Sequence, residues 1–157
     1  LLGVDYDARG VIRLSHQGEK VTGVPIRIAG IRPGVSRLAA LNVLISATTM
    51  LRTQEKVPYA FVELQYRDGS RARLPIVYNQ DIKEWWRTFW KTPGHIAWRL
   101  RDYGTGNEDA DAHESMVTVH LANPYPRREV ASVALEAVQM PFSSPAFFAI
   151  TAEPIKD

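Results

Sequence analysis

The chain predicts an all-β fold, an antiparallel β-sandwich with one short helix, and three observations carry that prediction. Apolar and polar residues alternate with a period of two over many short segments, which sets one face of a sheet against a core and the other against water. Ten Gly and ten Pro cut the 157 residues into pieces of strand length. Composition is that of a soluble globular domain, with 45% apolar and 23% charged residues, and the length suits one core better than two.

The strands are expected at 11–15, 24–29, 37–47, 59–67, 71–78, 95–101, 115–122, 130–138 and 146–152. In the third, Leu41, Val43 and Ile45 share one face and Asn42 faces away. Ala39, Ala40 and Leu41 are good helix formers, but the alternation assigns them to a strand. In the fourth, Ala60, Val62, Leu64 and Tyr66 alternate with Phe61, Glu63 and Gln65. Asp68-Gly69 then gives the strongest hairpin signal, because both residues tolerate positive φ. Pro75 places the fifth strand at a sheet edge or at a bulge, since proline donates nothing to a ladder. Val117, Val119 and Leu121 form an inward set, with Thr118 and His120 outward; Val133, Leu135 and Ala137 repeat it, with Ser132 and Glu136 outward. A short helix over 81–89 is expected to cap one end, and the polar loop 102–114 to be the most mobile stretch.

The totals exclude several classes. The formal charge is only +2, from 19 Lys and Arg against 17 Asp and Glu, and no basic run exceeds Arg127-Arg128, so no nucleic-acid partner is expected. There is no cysteine, hence no disulfide framework and no thiolate metal site. No apolar stretch is long enough to insert in a membrane. The start at Leu1-Leu2-Gly3, without methionine, reads as one domain, 1–157, excised or processed from a larger chain.

Several pieces form a recognisable ordered set: Tyr6-Asp7-Ala8-Arg9-Gly10-Val11-Ile12-Arg13-Leu14; Tyr66-Arg67-Asp68-Gly69 followed by Leu74-Pro75-Ile76-Val77-Tyr78 and Asp81-Ile82-Lys83-Glu84-Trp85-Trp86; Asn123-Pro124 before Glu129-Val130-Ala131-Ser132-Val133; and Ser144-Pro145-Ala146-Phe147-Phe148-Ala149-Ile150-Thr151. The set resembles a sandwich domain of large bacterial multidomain proteins that carry anti-sigma regulators, kinases or degradative enzymes. That domain is similar in turn to the galactose-binding-like jelly rolls and to carbohydrate-binding modules found beside glycoside hydrolases. The resemblance spans nearly the whole chain and implies a jelly-roll, galactose-binding-like sandwich, an extracytoplasmic location, and neighbouring domains as partners. One departure is the third strand, which ends in Leu44-Ile45-Ser46-Ala47-Thr48-Thr49-Met50 where such domains carry a His- and aromatic-rich stretch.

Candidate binding residues centre on tryptophan. Trp85, Trp86 and Trp90 lie together, with Trp98 downstream. Either they stack on sugar rings, or Trp86 and Trp90, four apart on a short helix, plug the open end of the sandwich and Trp85 points out. Tyr78, Asp81, Arg99 and His120 complete the expected ligand surface. Arg13, Arg99 and Arg101 are expected outward, either for paired bonds to a ligand or as ordinary cross-strand ion pairs.

Asn107, Asp109, Asp111 and His113 alternate as oxygen and nitrogen donors, so Asp109 and Asp111 can hold a structural calcium or simply belong to an acidic loop. His16, His95, His113 and His120 lack zinc-ligand spacing, and no Gly-x-Ser-x-Gly elbow occurs. The expected function is therefore a non-catalytic, carbohydrate-binding accessory module with no cofactor. A structural or protein-interaction domain is the second reading, and a small hydrolase the third.

Overall fold

A computed structural model describes residues 12–14, 26–49, 55–83, 95–101, 113–140 and 143–155. They form nine strands: β1 (Ile12–Arg13), β2 (Ile26–Ile31), β3 (Leu38–Thr49), β4 (Val57–Tyr66), β5 (Arg71–Tyr78), β6 (His95–Arg101), β7 (His113–Ala122), β8 (Val130–Ala137) and β9 (Ser143–Pro154). All nine expected strands are present. All pairings are antiparallel, in a five-stranded sheet β1-β9-β3-β7-β6 and a four-stranded sheet β2-β8-β4-β5. Set β6 aside and β1-β9-β3-β7 over β2-β8-β4-β5 is the strand order of a jelly roll. Only β4–β5 and β6–β7 are neighbours both in sequence and in a sheet. Most connections therefore cross between layers, while the hairpin expected at Asp68-Gly69 joins β4 to β5.

Alternation built these layers as expected. Leu41, Val43, Ile45, Val117, Val119, Leu121 and Phe147 of the first sheet meet Val62, Leu64, Tyr66, Ile76, Val133 and Leu135 of the second in one buried cluster. Each fully buried aliphatic of this set contributes roughly 1.5–3 kcal/mol. Pro75 lies on β5, an edge strand, where its missing N–H costs no ladder bond. A bulge in β4 between Pro58 and Ala60 turns Tyr59 inward as well, and its ring meets that of Tyr78 at 6.1 Å. A second bulge, between Ile28 and Ile31 of β2, contains Gly30 at φ 81°.

The β4–β5 turn differs from the two-residue form that Asp68-Gly69 suggested. Tyr66 pairs with Ser70 (Tyr66 N to Ser70 O, 2.9 Å), so the loop has three residues, and Gly69 N donates back to Tyr66 O at 3.0 Å. Gly69 takes positive φ, at 84°, while Asp68 accepts from the backbone N and the hydroxyl of Ser70. No helix occurs among the described residues. Of the helix expected over 81–89, residues 81–83 form a turn with a bridge between Tyr78 and Ile82, and the remainder lies outside the described residues.

Candidate functional site

Strand direction sorts the connections to two ends. β4, β7 and β9 end, and β3, β5 and β8 begin, at one end, where loops 32–37, 67–70 and 123–129 meet residues 154–155. β5 terminates at the opposite end, so the tryptophan-bearing connection leaves from there.

The first end is tied together by Asn123, which is buried. Its Oδ1 accepts from Tyr66 Oη at 2.5 Å and from Tyr125 N at 3.0 Å, and its Nδ2 donates to Leu38 O at 2.8 Å. One side chain thus joins β4, the β7–β8 loop and the start of β3. Backbone bonds add to it: Asn123 N to Ala39 O (2.8 Å), Val130 N to Ser36 O (2.6 Å) and Arg67 N to Glu129 O (2.9 Å). Burial pushes the Tyr66 phenol above its ordinary pKa, so it stays a neutral donor. Gly34, Val35, Ser36, Arg37, Arg127, Glu129, Pro154 and Ile155 surround an open depression of about 1110 Å³ on these loops. On the same β7–β8 loop Tyr125 is 46% exposed, its ring edge-on to Tyr66 at 5.9 Å with the Arg128 guanidinium 4.6 Å from its centroid. Arg128 is itself held by Ser70 Oγ at 2.8 Å and Asp68 at 3.4 Å. Tyr125 does not line the depression itself but shares the β7–β8 loop with Arg127 and Glu129, which do.

The outer face of the four-stranded sheet carries a second constellation. Glu63 on β4 and Glu136 on β8, both central strands, are buried although they point away from the core. Arg27 on edge strand β2 reaches across β8 to Glu63 at 2.5 Å while keeping Glu136 at 3.3 Å. Arg73 on the opposite edge reaches across β4 to Glu136 and covers the Phe61 ring at 3.4 Å. Gln65 adds a bond to Glu63 at 3.2 Å, and Arg71 stands 3.8 Å from it. Burial works against the Glu63 carboxylate, but Arg27, Gln65 and Arg71 outweigh it and hold its pKa below the ordinary glutamate value. A glycosidase acid needs the opposite shift. The pair is a neutralised clasp.

The third cluster is on the outer face of the five-stranded sheet. The Asn42 amide donates to Glu153, so its Oδ1 faces His120, whose Nδ1 must carry the proton at 3.2 Å. His120 also lies 3.6 Å from Glu153 and is exposed.

Of the expected ligand residues, the three whose side chains are described do not share one surface. Tyr78 is buried in the core beside Tyr59. Asp81 holds a turn, its Oδ2 accepting from Val77 N at 2.8 Å. His120 is on the other sheet, and the backbones of Trp98 and Arg99 sit on edge strand β6 opposite Met116 and Ser115. Trp85, Trp86, Trp90, Asp109 and Asp111 lie outside the described residues. Among the described residues no group of three or more His, Asp or Glu is placed to hold a metal, and no helix is long and apolar enough to cross a membrane. Sequence reasoning passed over Asn123, Tyr125 and Arg127 as parts of a site; their signal is Asn-Pro-Tyr-Pro-Arg-Arg, an aromatic locked between two prolines and followed by two cations. Comparison with protein-family models, curated proteins and solved structures finds no match for the chain.

Proposed function

We propose that the chain is a non-catalytic accessory module that binds carbohydrate at the loop end held by Asn123, within a larger extracytoplasmic bacterial protein of the kind its sequence resembles. One observation carries the reading: an open depression on loops pinned by three side-chain hydrogen bonds of Asn123, with exposed Tyr125 on the same loop as two of its lining residues, Arg127 and Glu129. Preorganised loops lose little entropy on binding, which suits the weak hydrogen bonds that sugars offer. The two buried carboxylates of the outer face, Glu63 and Glu136, are engaged by arginine. Titration calorimetry against a panel of soluble polysaccharides tests the proposal, with Tyr125→Ala expected to abolish binding. A panel without a binder removes the sugar. A binder lost in Trp85→Ala but kept in Tyr125→Ala takes the site away from the loop end held by Asn123.

A protein-interaction domain is the second reading, favoured by Ile28, which is 38% exposed on edge strand β2. An unpaired strand edge with an apolar side chain is what β-augmentation uses. Concentration-dependent self-association that Ile28→Lys abolishes supports it.

A further inference from the structure

We infer that the depression at the loop end selects saccharides bearing a carboxylate or sulfate group, which rests on the carbohydrate reading above and specifies its substrate class. Its wall holds two arginines and one acid. Glu129 is already engaged, by Arg67 at 3.3 Å and by Arg37 at 3.8 Å. Arg127 lines the hollow, is exposed, and has no ion-pair partner among the described residues. Arg32, at the start of the loop that supplies Ser36 and Arg37, is likewise exposed and without a described partner.

Arg27, Arg73 and Arg128 are each held by a carboxylate at closer range, whereas Arg127, like Arg13 on β1, faces none among the described residues. Arg37 spans a long, exposed contact, which is worth little and is readily exchanged for a ligand anion. A guanidinium offers a planar fork that fits a carboxylate or sulfate with two parallel bonds, and Ser36 adds a hydroxyl beside it. A neutral sugar leaves Arg127 with water alone; an acidic one neutralises it.

The test titrates the 157-residue chain with polygalacturonate, a sulfated galactan and a neutral galactan, each at low and high salt. The expected result is binding to an anionic polymer, weakened about tenfold by Arg127→Ala, as for loss of one charge-assisted bond. The same binding should fall with salt and be unchanged in Lys56→Ala, which removes an exposed cation at the other end. Comparing the polyuronate with the sulfated galactan identifies which anion is taken. Binding of the neutral galactan that Arg127→Ala leaves untouched, with no preference for the acidic polymers, overturns this inference and leaves the carbohydrate reading standing. Equal losses in Lys56→Ala and Arg127→Ala reduce it to bulk charge and overturn it. Absence of binding to all three removes both readings for these polymers.

Discussion

Replacing Asn123 by alanine should unfasten the loop end, and its cost follows from the bonds it makes. The amide has three partners, Tyr66 Oη, Tyr125 N and Leu38 O, and each such bond contributes a net of about 1 kcal/mol. Two of those partners belong to buried residues, Tyr66 at 3% exposure and Leu38 at 0%, so water does not readily take the place of the amide. The expected loss is about 3 kcal/mol, measured as a lower urea midpoint at unchanged slope. For a chain of this size that corresponds to a fall in Tm of about 6–12 °C. Tyr66→Phe removes one of the same bonds and should cost about 1 kcal/mol. Because the bond is shared, the double variant should be less destabilised than the sum of the singles, by about 1 kcal/mol. Strict additivity, or an Asn123→Ala loss below about 0.5 kcal/mol, would refute the idea that this side chain fastens the end.

Three further outcomes are expected. Glu63 has a lowered folded-state pKa, so its contribution is complete above the unfolded value near about 4.3 and is lost as pH falls through the lower folded value. Wild type should therefore exceed Glu63→Gln in urea midpoint at neutral pH, and the gap should close in acid; a gap independent of pH contradicts the clasp. Gly69→Ala meets no atom within 4 Å but must hold φ near 84°, a purely conformational cost of about 1 kcal/mol, whereas Gly34→Ala, equally unobstructed and without positive φ, should be neutral or stabilising. Equal thermal shifts in the two would show that φ is not the cause. Asp81→Ala should cost about 1 kcal/mol by freeing Val77 N and leave polysaccharide titrations unchanged, since Asp81 caps a turn; loss of ligand without loss of stability would return it to a binding role.

The strands were legible because alternation is a local signal and each segment carries its own. β5 and β6 occupy the expected residues, and the inward sets on β3, β4, β7 and β8 pack as read. The jelly roll followed from the resemblance and not from the alternation, because its strands pair far apart in sequence: β1 with β9, β2 with β8, β3 with both β7 and β9. The same distance hid the polar clusters. Glu63, Glu136 and Asn42 were rightly placed on outer faces, but outer was taken to mean exposed. Arginines from strands 36 and 63 residues away cover the two glutamates, and Glu153, 111 residues from Asn42, bonds its amide. Tyr78 was misjudged against its own strand's alternation, for it shares the inward face of β5 with Ala72 and Ile76; what left no trace in the alternation is the Pro58–Ala60 bulge that brings Tyr59 beside it in the core.

What remains free for recognition follows from what the sheets have already used. On the four-stranded sheet the outer carboxylates and the guanidiniums around them satisfy one another, and Arg73 covers the Phe61 ring. A ligand docking there must first break charge-assisted bonds, each stronger than a sugar hydroxyl can replace. β5, at one edge of that sheet, is broken as a pairing template by Pro75. At the loop end the balance reverses. Backbone groups of the crossing connections are satisfied internally through Asn123, Ser36 and Glu129, while Arg127 and the Tyr125 ring are exposed. Rigid backbone with a free guanidinium, Arg127, is the combination that binding an anionic group requires, because ordering has been completed during folding and that donor has no partner among the described residues.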